Sequence, residues 1–207
     1  MAGAVASDIQ KGVSDTLSVT VSRLTRIIDF WNLGHELFIS NPKTFPVPFI
    51  TGNVFDPSNL EPVTPFNDPP KTPMPALNTL ISLNPLRGHV SVIHASSFFH
   101  LFDEEKQFRL AQALAGLLSP SPGSVIFGSH SGQPVKGIRQ SQMPGLLGGT
   151  RFCHSPESWK ELWDGQIFER GRVMVEAVLR KFDRTEPSMP NWGSSIHFWL
   201  IWSVTRI

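Results

Sequence analysis

Between His89 and Ser129 the apolar positions change period twice. Val90-Ser-Val-Ile-His-Ala95 is a short apolar run that predicts a buried strand. Ser96-Ser-Phe-Phe-His-Leu-Phe102 then leads to Asp103, a good N-cap, with Glu104 and Glu105 in the first turn, where acids suit the helix dipole. Leu110, Ala111, Leu114, Leu117 and Leu118 recur at helical spacing and give this helix one apolar face. Ser119-Pro-Ser-Pro-Gly123 stops it, and Ser124-Val-Ile-Phe-Gly128 predicts a second buried strand. Strand, helix and strand within about 40 residues make a βαβ unit, whose strands are parallel and whose crossover is right-handed.

The flanking pattern is less regular. Phe30-Trp-Asn-Leu-Gly-His-Glu-Leu-Phe38 predicts a short amphipathic helix and Pro48-Phe-Ile-Thr-Gly52 a short strand. Residues 57–88 form a proline-rich connection. Ser155-Pro156-Glu157 starts a helix, with Ser at the N-cap and Pro at the first helical position. Trp159, Leu162 and Trp163 are its apolar face. Val173 to Phe182 and Ile196 to Val204 read as the last two strands, an antiparallel pair at one sheet edge. In the second of them Ile196, Phe198, Leu200, Trp202 and Val204 share a face. No internal repeat is found. The sum is an α/β sheet with a parallel βαβ unit and an antiparallel C-terminal hairpin. Open α/β sheets bind ligands outside the carboxyl ends of their strands, so the places to look follow Asp8, Gly52, Ala95 and Gly128.

Composition narrows the classes. The chain has 207 residues, 40% of them hydrophobic, which suits one domain with a sizeable core. Eighteen basic side chains against 17 acidic ones leave a net charge of +1, so no nucleic-acid footprint is expected. No apolar run approaches the roughly 20 residues that span a bilayer, and Met1 to Asp8 lacks the basic and apolar regions of a signal peptide. The single cysteine, Cys153, leaves no internal disulfide or four-cysteine zinc site and points to a reducing, cytoplasmic setting. No metal is expected. Most of the 18 prolines lie between Pro42 and Pro85, and there is no tyrosine beside 15 phenylalanines and 6 tryptophans.

Four words at these strand ends resemble a known family when taken jointly. They are Phe30-Trp-Asn-Leu-Gly-His-Glu-Leu-Phe38, Gly52-Asn-Val-Phe-Asp-Pro57, Val92-Ile-His-Ala-Ser-Ser-Phe-Phe-His-Leu-Phe-Asp103 and Leu117-Leu-Ser-Pro-Ser-Pro-Gly-Ser-Val-Ile-Phe-Gly128. With Phe152-Cys-His-Ser-Pro-Glu-Ser-Trp-Lys-Glu-Leu-Trp-Asp164 and Trp202-Ser-Val-Thr-Arg206 they are similar to the fungal class I S-adenosylmethionine-dependent methyltransferases of secondary metabolism. The resemblance covers most of residues 30–207. It implies a Rossmann-like, mostly parallel sheet whose last strand is antiparallel, with S-adenosylmethionine held over the carboxyl ends of the first strands.

Carried over by position, the resemblance makes Asp8 the ribose ligand, places Asn53 and Val54 at the adenine, and sets Ala95 and Ser96 beside the donor. Three departures follow. The glycine-rich turn of the first strand is not found. Asn53 stands where the family has an acid, which removes a charge-assisted bond to the adenine amino group. Asp8 is separated from the Phe-Trp-Asn-Leu-Gly word by residues 13–29, an insertion that reads as a translated retained intron. The expectation is a single, incomplete domain over 1–207, with the first strand and its glycine turn missing.

For proton chemistry the natural candidates are His100 and His130, read as lying beyond strand ends where an acceptor would sit. His94 reads as a core residue of its strand, as do Phe98 and Phe99 beyond it. Alignment of nucleophile and methyl group alone suffices for many methyl transfers. Gly128-Ser-His-Ser-Gly132 fails as a nucleophile elbow because its centre is histidine, no His-Glu-x-x-His occurs, and Lys136 and Arg139 read as a solvated loop. The expected function is methyl transfer to an oxygen, nitrogen or carbon of a small molecule, with segments 57–88 and 130–150 shaping the acceptor pocket. Two alternatives are a catalytically inactive remnant of this fold and a small-molecule-binding accessory protein, as an oligomer or with a partner chain covering the exposed sheet edge.

Overall fold

A computed structural model describes residues 27–45, 47–141, 149–182 and 197–207. The expectations for Asp8, for the first strand and its turn, and for most of the insertion 13–29 lie outside these residues; Ile27 to Asp29 form the start of a helix. Among the described residues three helices, α1 (Ile27–Leu37), α2 (Glu104–Leu117) and α3 (Pro156–Trp163), accompany six strands. The strands are β1 (Val92–His94), β2 (Val125–Gly132), β3 (Gly137–Ser141), β4 (Gly149–Cys153), β5 (Val173–Phe182) and β6 (His197–Arg206).

The main sheet has the order β1-β2-β6-β5, and β3 pairs with β4 in a separate antiparallel ribbon. β1 and β2 are parallel, with Val92 opposite Val125, as the βαβ pattern requires. β6 is antiparallel to both β2 and β5, so β1, β2 and β5 run one way and β6 runs against them. The C-terminal hairpin lies where expected, with β5 at the edge and β6 inside.

Local chemistry accounts for the helices. The Asp103 carboxylate accepts from the Lys106 N–H at 2.8 Å, and α2 buries Leu110, Ala111, Leu114 and Leu117. At α3 the Ser155 hydroxyl accepts from the Ser158 N–H while the Ser158 hydroxyl accepts from the Ser155 N–H, a reciprocal capping box. Pro156 holds the first position, and Trp159, Leu162 and Trp163 turn inward.

Three expectations are corrected. Pro48 to Gly52 is not a strand: Pro48 has no N–H to donate, and the segment joins no described strand, with Ile50 packed against the core. β2 continues past Gly128 to Gly132, because the long strand β6 pairs with it as far as Phe198 opposite Gly132. Segment 130–150, read as a loop, contains the end of β2, all of β3 and the start of β4, and β3 pairs with β4 with Ile138 opposite Phe152.

The proline-rich connection is ordered despite having only two short 3₁₀ turns, Leu77–Thr79 and Asn84–Leu86. Leu60, Leu83 and Leu86 anchor it in the core. Polar pins hold the rest: Asn84 donates to the carbonyls of Pro57 and Ser58, Gly88 N–H donates to Gly116 O, and the Arg206 guanidinium donates to Phe66 O at 2.6 Å.

Sheet alternation divides the two faces. Ile93, Ile126, Leu200, Trp202, Val204, Val173 and Ala177 turn inward and join the apolar faces of α2 and α3 in one core. The opposite face leaves Phe127 39%, Ile201 44%, Met174 51% and Val178 51% exposed. At the centre of the core, Trp159 meets the rings of Phe99, His130, His154, Trp163 and Trp202 at 4.8–5.8 Å. Trp159→Ala is expected to cost about 3–5 kcal/mol by opening a cavity there, seen as a lower urea midpoint in equilibrium unfolding.

Candidate functional site

The exit of β1 is drawn close against the middle of β2. A Cβ on Gly128 would lie 2.4 Å from Ala95 O, so only glycine lets the exit of β1 close down on β2. Ala95 N–H donates to Phe127 O at 2.9 Å and Ser97 N–H to Ser129 O at 2.7 Å. Between them the Ser96 hydroxyl accepts from Ser129 N–H at 3.1 Å and bonds His94 Nε2 at 2.8 Å. Ser97 is forced to φ +53°, a left-handed conformation costing a side-chain-bearing residue roughly 1–2 kcal/mol. Strain of this kind, fixed by a ring of bonds at a strand end, marks a turn built for position.

That turn is tied to the Gly52-Asn-Val-Phe segment through aromatic edges. Phe102 meets Phe98 edge-on at 5.3 Å and Phe55 edge-on at 4.8 Å. Asn53 Oδ1 accepts from Phe55 N–H at 3.1 Å, and Asn53 O accepts from Asp56 N–H at 3.0 Å, which fixes a tight turn with the amide side chain at the surface. The Val54 side chain is buried, so only its backbone faces outward chemistry. Gly52, Asn53, Val54, Leu60 and Leu83 border a small open pocket with an apolar floor. Of the residues singled out from sequence, Asn53 and Val54 are thus joined to Ala95 and Ser96, while Asp8 is outside the described residues.

The histidines are placed differently from expectation. His130 lies inside β2, 1% exposed, because the strand runs past it. Trp202 Nε1 donates to His130 Nδ1 at 3.0 Å, and an indole N–H is only a donor, so the ring proton sits on Nε2. That Nε2 is buried with no partner among the described residues. Burial first, then His100 and His154, hold the His130 pKa well below the ordinary range. His100, in the 3₁₀ turn Phe99–Leu101, is 8% exposed and stacks over His130 with centroids 6.3 Å apart. Burial and, secondarily, Arg151 push its pKa down to about 4.

His154, not singled out from sequence, is also pushed down to about 4, by burial ahead of Lys136, and bonds the Ser158 hydroxyl at 2.9 Å. The signal for it was available in the His-Ser-Pro-Glu start of α3, which turns the preceding residue under the helix toward Trp159. Three neutral imidazoles and three tryptophans therefore form one apolar wall behind the site.

Among the described residues, a mixed sheet in which one antiparallel strand lies between the edge strand and a parallel pair, packed against helices, is an α/β fold similar to that of the S-adenosylmethionine-dependent methyltransferases. The solved structure of an S-adenosylmethionine-dependent methyltransferase from Methanosarcina mazei matches it with a TM-score of 0.52, over 92% of this chain and 82% of that one, at 12% identity. No family model matches the chain. Over 157 residues it is 34% identical to O-methyltransferase phiE of a fungal species (strain ATCC 74256), a span of 76% of this chain and 44% of the relative. Over 139 residues it is 30% identical to methyltransferase ausD of Penicillium brasilianum, 66% of this chain and 40% of the relative. The chain is a homologue of these fungal methyltransferases, and it spans less than half the length of the curated relatives it matches. No described helix is long and apolar enough to cross a membrane.

Two outcomes test this geometry. Gly128→Ala is expected to cost about 1–3 kcal/mol, because the new methyl group meets backbone that cannot yield, and calorimetric unfolding reads the loss. The buried histidines give a pH dependence of defined sign. His100 and His154 titrate near 6.5 when unfolded and near 4 when folded, so the unfolded chain binds more protons between those values. Stability present above pH 6.5 is lost as pH falls toward 4, at up to about 1.4 kcal/mol per pH unit for each histidine. Urea midpoints measured from pH 7 to 4.5 should fall accordingly, and His154→Gln should flatten the slope.

Proposed function

We propose that this chain carries out S-adenosylmethionine-dependent methyl transfer to a small-molecule acceptor of fungal secondary metabolism, in the cytoplasm. The observation that carries the reading is the strained Ala95-Ser96-Ser97 turn joined through Phe102 and Phe55 to Asn53, in a homologue of fungal methyltransferases. The residues present suit the adenine end of the donor. Asn53 Oδ1 accepts one backbone N–H and keeps a second lone pair for an adenine amino group. The backbone of Val54 lies beside it, and Leu60 and Leu83 line the same small pocket. Ala95 and Ser96 flank the donor; the Ser96 hydroxyl, already bonded to Ser129 and His94, fixes the turn instead of reaching out. Asp8 is the proposed ribose ligand.

When bound, the donor supplies an electrophilic methyl group on a sulfonium. The chain's own contribution is to bind, align and exclude water, since alignment supplies most of the barrier reduction in such a displacement. His130 takes no proton from an acceptor in this reading, because one ring nitrogen receives the Trp202 N–H and the other carries its own hydrogen. His100 is the remaining candidate base; its lowered pKa keeps it neutral at pH 7 but makes it a weak acceptor, so alignment carries the reaction in this reading.

A second reading, an inactive or accessory protein completed by a partner chain, draws support from the large apolar side chains, Phe127, Ile201, Met174 and Val178, on the exposed outer face of the sheet. Calorimetric titration of the whole chain with S-adenosylhomocysteine separates the two. Micromolar binding is expected under the first reading, and no heat at millimolar ligand would favour the second. Asn53→Asp should tighten binding several-fold through a charge-assisted bond, and Asn53→Leu should weaken it about tenfold.

A further inference from the structure

We propose that the cavity bordered by Arg172 and Arg206, where β5 begins and β6 ends, is a binding site for a phosphate group. The cavity has about 50 Å³ of free volume, several times what one water needs, so it admits a group of a few heavy atoms. Thr64 and Asn67 of the proline-rich connection line it, as do Phe168 and Glu169. It lies at the rim where β2 and β5 start, since Thr205 is opposite Val125 and Arg206 opposite Val173. It shares no lining residue with the pocket beside Asn53, and the proposal does not rest on methyl transfer.

Arg206 is what calls for an anion. The residue is only 6% exposed. Its Nη2 donates to Phe66 O at 2.6 Å, and the guanidinium sits over the Phe168 ring at 5.0 Å. Its Nη1 is buried with no partner among the described residues. A buried cation that lacks an acceptor is costly, and the cavity it borders is where an acceptor can enter. Burial first, and the Arg172 charge second, hold the Arg206 pKa below its ordinary value. A guanidinium keeps its proton near neutral pH, so an anion relieves both effects where deprotonation does not. Among the described residues the one carboxylate paired with either arginine is that of Glu169, with Oε2 3.5 Å from Arg172 Nε. Both of those side chains are more than half exposed, so the contact is weak and yields readily. Phosphate suits this donor set better than carboxylate. It carries about two charges at pH 7 and directs its oxygens several ways, toward two guanidiniums, a hydroxyl and an amide, whereas one guanidinium fork satisfies a carboxylate.

Calorimetric titration of the full chain with inorganic phosphate tests this, at an ionic strength held constant with sodium chloride and with far-UV circular dichroism as the control for folding. Binding is expected with a dissociation constant below about 1 mM. Arg172→Gln leaves the buried contact between Arg206 and Phe66 in place and should weaken binding at least about tenfold. Glu169→Gln removes the competing carboxylate and should tighten binding about threefold, a gain that a purely structural role for Arg172 would not produce. Saturating phosphate should also raise the thermal unfolding midpoint of the unaltered chain more than that of Arg172→Gln. Glycerol phosphate separates the sources of the group. Binding at least as tight as that of inorganic phosphate supports a site for phosphate esters, and weaker binding supports a site for the free ion. No heat at about 10 mM phosphate overturns the proposal, as does binding indifferent to Arg172→Gln. Acetate that binds as tightly as phosphate also overturns it.

Discussion

The described fold depends on one strand serving two neighbours at once. β6 lies between β2 and β5, and its inward residues Leu200, Trp202 and Val204 form the floor of the core. Trp202 is the junction. Its indole N–H holds His130 on β2, its ring meets Trp159 at 4.9 Å and Trp163 at 6.0 Å on α3, and Phe99 abuts it from the turn that follows the exit of β1. The hydrogen bond is buried and has a single donor and a single acceptor, so it fixes both the rotamer of Trp202 and the tautomer of His130. That in turn fixes how far α3 and the Phe99 turn stand from the sheet.

The site inherits its precision from this packing. Phe99 is wedged among Trp159, Trp163, Trp202 and His130, and Phe98 and Phe102 on either side of it carry the contact on to Phe55. Asn53 is therefore located, through three aromatic steps, by the core itself. The left-handed Ser97 persists because the backbone bonds to β2 and the ring of Phe99 over-determine it. A loop with neither anchor would relax by the 1–2 kcal/mol that this conformation costs.

What was legible in the sequence was local. The Asp103 and Ser155 caps, the apolar stripe of α2 and the alternation of β5 and β6 are decided within a few residues, and each appears as read. What was not legible depends on a partner remote in sequence. β2 was read as ending at Gly128 because Ser129 and Ser131 look like loop residues. β6, some 70 residues away, holds them in the ladder. The same error placed His130 outside a strand, although Ile126, Gly128, His130 and Gly132 alternate on one face. The β3–β4 ribbon was hidden because Gly137 and Gly149 at its ends read as turn punctuation. Pro48 to Gly52 failed in the opposite direction: an apolar run that pairs with no described strand is not a strand, however apolar it is.

The register across the sheet shows how the core reaches the site. Ser129, in the middle of β2, holds the turn with its backbone: its N–H donates to the Ser96 hydroxyl and its carbonyl accepts from Ser97 N–H. The residues on either side of it, Gly128 and His130, lie opposite Trp202 and Leu200 of β6 on the inward face. One stretch of β2 thus binds the turn along its backbone and the aromatic core through its side chains. A side chain lost at Trp202 or His130 would loosen the Ala95–Ser97 turn through that backbone, although neither residue borders the pocket beside Asn53.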